Sequence, residues 1–320
     1  NPYVNSASLI NPVYLKKIST PNAEVHFSRS ETTELGYDFG QFLQNPLQFL
    51  PLQIIDEGGS PSWYQLDSIR LVAKGEDECR QYVGFTYSED ENKRLTLLGL
   101  RVMGTQAAQG PYTFTYNTTS LPDYNTLEQD HWGYYNGRNF IDDNPLGGGQ
   151  LFYTRDDSTA YYTSRIPDTT LMKAEILTEI RYPTGGSTRF VYEPHDYSQI
   201  ATKYPFGIEA VSGNPIAGGL RIDSIISVPG YGAPEVIKTY HYVNDFLNGG
   251  TESSGILSDS ARYVTEYTTI SKGDTLDIYE LSSVPVESFL TTDGNHVTYS
   301  EVTEKLSDGS FTIYRYTNHE

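Results

Sequence analysis

Leu177-Thr178-Glu179-Ile180-Arg181-Tyr182-Pro183-Thr184-Gly185-Gly186-Ser187-Thr188-Arg189-Phe190-Val191-Tyr192 is the stretch that decides the fold. It opens on an apolar pair spaced i, i+3, turns at Pro183 to Gly186, and continues as an alternating run on Thr188, Phe190 and Tyr192. Pro pre-sets φ for a turn, and Gly tolerates the left-handed backbone that turns require. Period-two alternation of aromatic and β-branched residues then specifies a half-buried strand. An i, i+3 pair also fits a helix, but a turn follows within a few residues and the neighbours are poor helix formers. In a strand, i and i+3 point to opposite faces. Leu177 and Ile180 therefore imply either burial on both sides or a β-bulge. The segment reads as a β-hairpin.

The same pattern recurs in both directions along the chain. Leu15 and Ile18 precede Pro21-Asn22, then Val25 and Phe27. Leu66 and Ile69 precede a turn near Gly75, then Tyr82 to Tyr87. Leu97 and Leu100 precede a loop ending Gly110-Pro111, then Tyr112, Phe114 and Tyr116. Ile222 and Ile225 precede Pro229-Gly230-Tyr231-Gly232, then Val236, Tyr240 and Tyr242. Val302 precedes Asp308-Gly309, the strongest two-residue hairpin signal in the chain, then Phe311 to Tyr316. Irregular spacing argues against a strict solenoid or propeller period. The expected fold is all-β: consecutive antiparallel β-hairpins forming a large curved or layered sheet, with very little helix. Short helical turns are expected only at Tyr124 to Gln129 and Gly40 to Leu47. Residues 1–117 read as an N-terminal hairpin region with an insertion at 34–62. Residues 118–172 read as an irregular aromatic and glycine-rich connector and candidate hinge, and 173–320 as a C-terminal hairpin region.

Composition agrees. The chain has 320 residues, enough for one large β domain or two smaller ones. Its 27 Tyr against 2 Trp and 2 Met favour pleated, half-buried surfaces over helices. A formal net charge of −19 repels phosphate backbones and anionic membranes, which argues against nucleic acid and polybasic lipid anchoring. Cys79 stands alone, so neither an internal disulfide nor a cysteine metal site is expected. No run reaches membrane-spanning length, and no signal peptide is visible. A start at Asn1 without Met suggests a processed protein or an excised segment, with further domains of the same polypeptide expected.

Three stretches, in order, resemble large exported proteins of Bacteroidetes related to the Rhs/YD-repeat group. The first runs from Tyr112-Thr113-Phe114-Thr115-Tyr116-Asn117 and Leu121-Pro122 to Gln129-Asp130-His131-Trp132-Gly133-Tyr134-Tyr135-Asn136-Gly137. The second is Leu177 to Pro194, and the third Gly218-Gly219-Leu220-Arg221-Ile222. Together they cover roughly residues 66–245. The resemblance implies export to the cell surface or medium and YD-repeat-like hairpins wound into a curved sheet or shell. The paired Asp-Pro self-cleaving core and the regular tyrosine–aspartate repeat of that group are absent here, which argues against a closed, toxin-enclosing shell. No catalytic residues carry across.

Motifs for chemistry are sparse. The chain has no Gly-x-Ser-x-Gly elbow, no His-Glu-x-x-His helix and no phosphate-binding loop. Gly230-x-Gly232 lacks a third glycine, and the six histidines have no ligand spacing, so no cofactor and no metal are expected. Asp142-Asp143 and Asp156-Asp157 flank a glycine-rich stretch, with Asp130-His131 upstream. Paired carboxylates suit glycoside hydrolysis or calcium, although in so acidic a chain solvated loop charges are the simpler reading. Trp132, Tyr134 and Tyr135, with Asp142 and Asp143, form the candidate ligand-binding set: flat rings stack on sugars when exposed. The preferred alternative is a packed corner in which Gly133 and Gly137 let the backbone approach a sheet. Cys79 reads as an inert, half-buried side chain in a strand or turn. Asp-Ser and Asp-Thr pairs at Ser68, Ser158, Thr169, Ser224, Ser260 and Thr275 match an O-glycosylation acceptor pattern of exported Bacteroidetes proteins, though strand register explains Ser68 and Ser224 equally well.

These readings leave catalysis open but point away from it. They favour a non-catalytic structural or interaction module of a secreted or cell-surface bacterial protein, with a glycan or protein partner. The alternatives are a carbohydrate-binding or glycoside-hydrolysing surface protein, and a scaffold that presents a C-terminal cargo.

Overall fold

The structure is a computed structural model. It describes residues 13–32, 64–76, 79–88, 90, 93–104, 110–122, 126–140, 155–203, 206–271, 274–282, 285 and 295–318. The 34–62 insertion, the turn at Gly40 to Leu47, and Asp142-Asp143 lie outside these residues.

The fold is all-β. The largest sheet has twelve strands in the order β1-β2-β3-β4-β5-β6-β7-β8-β11-β12-β17-β18. Each expected hairpin is present: Lys17–Ser19 (β1) with Ala23–Glu31 (β2), Tyr64–Ala73 (β3) with Cys79–Tyr87 (β4), and Leu97–Gly104 (β5) with Tyr112–Tyr116 (β6). Leu177–Arg181 (β7) precedes Ser187–Asp196 (β8) across the Pro183 to Gly186 turn. Ile216–Val228 (β11) pairs with Val236–His241 (β12), and Glu301–Leu306 (β17) with Phe311–Arg315 (β18) across Asp308-Gly309.

Two of the i, i+3 pairs, Leu66 with Ile69 and Leu97 with Leu100, are explained by bulges. Phe85 and Tyr87 lie on one face of β4 and oppose Leu100 and Leu97, with a register shift between Thr86 and Tyr87 that skips Leu98. Phe27 and Arg29 likewise oppose Ile69 and Leu66, skipping Asp67. One extra residue turns an i, i+3 pair, which would straddle a regular strand, onto a single face.

A second device recurs at the open end of three hairpins. The Tyr87 hydroxyl donates to the Leu66 carbonyl (3.0 Å), Tyr116 to Leu97 (2.8 Å) and Tyr242 to Ile222 (2.8 Å). In each case a tyrosine at the end of the second strand, or one residue past it for Tyr242, clasps the first member of the apolar pair.

The chain divides into two compact units, Asn1–Tyr116 with Glu179–Ser187, and Asn117–Thr178 with Thr188–Glu320. In the first, register sets one apolar row across the sheet: Ile18 opposes Val25, Phe27 opposes Ile69, and Ile69 opposes Val83. Val83 opposes Val102, and Leu100 opposes Tyr112. The other side carries His26, Arg70 and Tyr82 in register, and Arg101 beside Gly84.

The second unit adds elements that the hairpin pattern does not predict. Gln199–Lys203 (β9) pairs with Phe206–Ala210 (β10), and Gly255–Leu257 (β13) pairs antiparallel with Val297–Tyr299 (β16) but parallel with β9. Val264–Ser271 (β14) and Asp274–Leu281 (β15) form a separate two-stranded sheet. Of the helical turn expected at Tyr124 to Gln129, residues 126–129 are not helical. The α-helix among the described residues is Arg155–Ser164 (α1). Two apolar clusters form the core of this unit: Phe140, Tyr161, Ala261 and Tyr263, and Ala217, Leu257 and Val297. Trp132 packs against both.

Candidate functional site

The richest concentration of chemically capable side chains lies in the second unit, on the corner formed by residues 129–138. Gln129 and Tyr135 form an antiparallel bridge, closed by the Asp130 N–H donating to the Tyr134 carbonyl (2.7 Å). Inside this turn Asp130 Oδ1 accepts the backbone N–H groups of Trp132 (2.8 Å) and Tyr134 (3.0 Å). Short Asp side chains favour such local turns because they satisfy backbone donors that neither helix nor sheet would. Gly133, at φ +91°, supplies the left-handed residue at the tip.

The corner is pinned to the end of α1. Asn136 Nδ2 donates to the carbonyls of Ser164 (2.8 Å) and Ile166 (3.1 Å), and its Oδ1 accepts the Arg138 N–H (3.1 Å). Arg165 Nη2 donates to the Asp130 carbonyl (2.8 Å) and Nη1 to the Tyr161 hydroxyl (3.0 Å). His131 Nδ1 lies 2.9 Å from the Tyr263 hydroxyl, and its ring packs against Tyr162 and Tyr263.

A glycine pair on β11 receives the corner from the other side. A Cβ at Gly218 would run into Asp130 Oδ2 and the Trp132 ring. At Gly219, where φ is +84°, it would come within 2.8 Å of the Tyr134 ring. Trp132 stacks on His296 (ring centres 5.4 Å apart), whose Nε2 is 2.7 Å from the Gly218 carbonyl. Gly218-Gly219 and the 129–137 stretch, two of the segments picked out in the sequence, are thus parts of one contact.

A second polar network lies on β8 and β11. Arg221 holds both Asp196 carboxylate oxygens (2.7 and 2.9 Å), Glu193 Oε1 (2.7 Å) and the Tyr299 hydroxyl (2.8 Å). Its guanidinium sits 4.3 Å from the centre of the Tyr242 ring. The Ser253 hydroxyl donates to Asp196 Oδ1 (2.5 Å), and His195 Nδ1 is 2.8 Å from the Tyr299 hydroxyl. Sequence reading passed over this network, because its members are spread from residue 193 to 299 and only pairing of β8, β11 and the β16 region gathers them.

Burial dominates the electrostatics. Asp130 is 0% exposed, and desolvation pushes its carboxyl up to about 6 despite the backbone donors and Arg165. Burial presses His131 and His195 down to about 4, with Arg165 adding to the effect at His131 and His296 at His195, and it lowers His296 as well. The Tyr134 hydroxyl is raised by burial and by Asp130. Arg221 is desolvated, yet Asp196, Tyr299 and Glu193 hold it more firmly charged than usual.

A carboxylate can act as general acid or base only within hydrogen-bond reach of a substrate. Asp130 and Asn136 are sealed, and His131, at 6% exposed, is nearly so. Of the aromatic candidates, Trp132 and Tyr135 are half-buried and Tyr134 is 39% exposed. The structure therefore brings Trp132, Tyr134 and Tyr135 together on one corner, and uses Trp132 as packing. Asp156 and Asp157 fall on α1, and Cys79, expected half-buried, is instead exposed because it stands at the very start of β4. Ser68 and Ser224 are buried within strands, whereas Thr169 and Thr275 are exposed. Among the described residues no group of three or more His, Cys, Asp or Glu is placed to hold a metal, and no helix is long and apolar enough to cross a membrane. Compared with known protein families, with curated proteins and with solved structures, the chain matches none.

Proposed function

We propose that this chain is a non-catalytic structural or interaction module of an exported, cell-surface bacterial protein, a scaffold of YD-repeat-like hairpins. One observation carries the reading: the segment richest in chemically capable side chains, Gln129 to Arg138, is spent on framework. Its carboxylate caps its own turn, its asparagine ties α1, and its tryptophan fills the gap between two core clusters. The Arg221 guanidinium likewise holds both of its neighbouring acids, Asp196 and Glu193. Export and kinship rest on the ordered motifs in the sequence and on the acidic, tyrosine-rich composition.

The purified chain is expected to show no turnover on a broad panel of glycans, peptides and esters. Turnover abolished by substituting a single carboxylate, with the fold intact by circular dichroism, overturns the reading. Fractionation of the native host is expected to find the protein at the cell surface or in the medium; a cytoplasmic pool alone overturns that part.

Tyr134 favours a second reading, because its ring stays 39% exposed beside the packed corner. A carbohydrate-binding surface would stack a sugar there. Glycan-array binding lost in Tyr134→Ala, with unchanged thermal stability, supports this reading; an array without hits removes it.

A further inference from the structure

Asn-Gly occurs twice in the chain, at Asn136-Gly137 and Asn248-Gly249. The pair is reactive because glycine has no Cβ to shield its own peptide nitrogen. That nitrogen can close on the preceding carboxamide carbon to make a five-membered ring. Both glycines sit in the left-handed region, at φ +67° and +82°. What separates the two sites is the hold on each carboxamide.

Asn136 is 2% exposed and gripped at both ends of its amide. Nδ2 donates to the Ser164 and Ile166 carbonyls, while Oδ1 accepts the Arg138 N–H. A Cβ at Gly137 would run into Leu171, so the glycine is packed as well. Turning this carboxamide towards the Gly137 nitrogen breaks three hydrogen bonds inside the corner. Asn248 is exposed and ends the single 3₁₀ turn Phe246–Asn248. Its Nδ2 donates to Asp245 Oδ1 (2.6 Å), on a residue that is itself exposed. The Gly249 N–H donates to the Phe246 carbonyl (3.0 Å), but bonds of a 3₁₀ turn are poorly aligned. Exposed turns of this kind open at little cost.

We infer that Asn248 is a self-modification site, where the folded chain converts asparagine to aspartate and isoaspartate without an enzyme. The Gly249 nitrogen gives up its proton to solvent and bonds to Asn248 Cγ. The Cγ–Nδ2 bond breaks, and ammonia leaves after taking a proton from solvent. Water then opens the cyclic imide. Attack at Cγ restores the ordinary main chain with an aspartate, whereas attack at the backbone carbonyl routes the main chain through the side chain as isoaspartate. One water is consumed and one ammonia released, with no oxidant or reductant. Either product adds a negative charge to a chain already at −19 and sets it beside Asp245, whose carboxylate loses its donor. Isoaspartate also lengthens the main chain next to Gly250, where the Asn244 carbonyl leaves no space even for a Cβ. The turn that stacks Phe246 on His241, ring centres 4.2 Å apart, is then expected to loosen.

Incubation of the full chain at neutral pH for several weeks tests the proposal, read by peptide mapping with mass spectrometry and an isoaspartate-specific methylation assay. The expected result is acid in the Asn248 peptide, formed on the order of a hundredfold faster than at Asn136, whose reaction waits on opening of the buried corner. In guanidinium chloride the two sites are expected to convert at similar rates, because unfolding removes what distinguishes them. Asn248→Gln demands a larger and slower ring, and is expected to abolish most of the early acidic species seen on isoelectric focusing of the folded chain. A folded chain whose Asn248 keeps its amide while the denatured chain loses it overturns the proposal. So does Asn136 converting as fast as Asn248 in the folded protein, or early acidic species that Asn248→Gln leaves in place.

Discussion

Gly218 and Gly309 show how differently two glycines in one sheet system are constrained. A methyl at Gly218 meets the sealed Asp130 carboxylate and the Trp132 ring, neither of which can retreat without opening a core cluster. Gly218→Ala is expected to destabilise the protein by about 1–3 kcal/mol through overpacking. Gly309→Ala meets nothing within 4 Å and suffers only the strain of φ +88°, about 1 kcal/mol; paired urea denaturation curves separate the two. Arg221 is the corresponding charged position. Removing it strands Asp196 and Glu193, so Arg221→Ala is expected to cost about 3–5 kcal/mol. Arg221→Lys keeps the charge but loses the two-pronged hold on Asp196, and should fall between the two in the same assay. Acid sensitivity follows from the buried imidazoles. As pH falls from about 6.5 towards 4, the unfolded chain takes up protons that native His131 and His195 refuse, so stability drops. Asp130 acts oppositely: its contribution is full below its unfolded value near 4 and is lost as pH rises through about 6. Two imidazoles outweigh one carboxyl, so urea midpoints should decline over this interval. Asp130→Asn is expected to steepen the decline by up to about 1.4 kcal/mol per pH unit.

At the scale of elements, the hairpins were legible because their signals are local. Alternation, Pro and Gly turns, and the apolar i, i+3 pairs all lie within some twenty residues of one another. Bulges at Asp67 and Leu98 show what the pairs encode: a one-residue slip that keeps Leu66 with Ile69, and Leu97 with Leu100, on one face. The tyrosines Tyr87, Tyr116 and Tyr242 carry a message that spacing alone did not reveal, since each hydroxyl reaches back to the first residue of its pair. Tyr87→Phe, Tyr116→Phe and Tyr242→Phe are each expected to cost about 0.5–1.5 kcal/mol in urea denaturation, with effects that add for the distant pair Tyr87 and Tyr242. Strands β9, β10, β13 and β16 were missed for the opposite reason. They are short, and β13 pairs with two partners far away in sequence, one of them parallel. The α1 helix was overlooked because Arg155 to Ser164 has no apolar stripe to announce it, being rich in Asp, Ser and Thr.

For the whole molecule, the two units differ in how they are held. The second encloses core clusters bridged by Trp132, whereas among the described residues of the first the apolar row is only half-buried and no hydrophobic side chain is fully buried. Hydrogen exchange should therefore protect amides of β11 and β13 at least about tenfold more than those of β2 to β5. Equal protection would mean that the first unit carries a core of its own. The candidate site was legible as a segment and as two glycines, but its meaning was not. Nothing in Asp130-His131-Trp132 says whether the rings face solvent or core until Gly218 and Gly219 are seen to make room for them. The tyrosine clasps also bear on how such a chain can change length. Each holds the mouth of its ribbon, remote from the tip, so the links from Ala73 to Cys79, Gly104 to Tyr112 and Val228 to Val236 are free to grow or shrink without disturbing alignment. Whole ribbons become interchangeable parts, and the uneven intervals between them record that freedom.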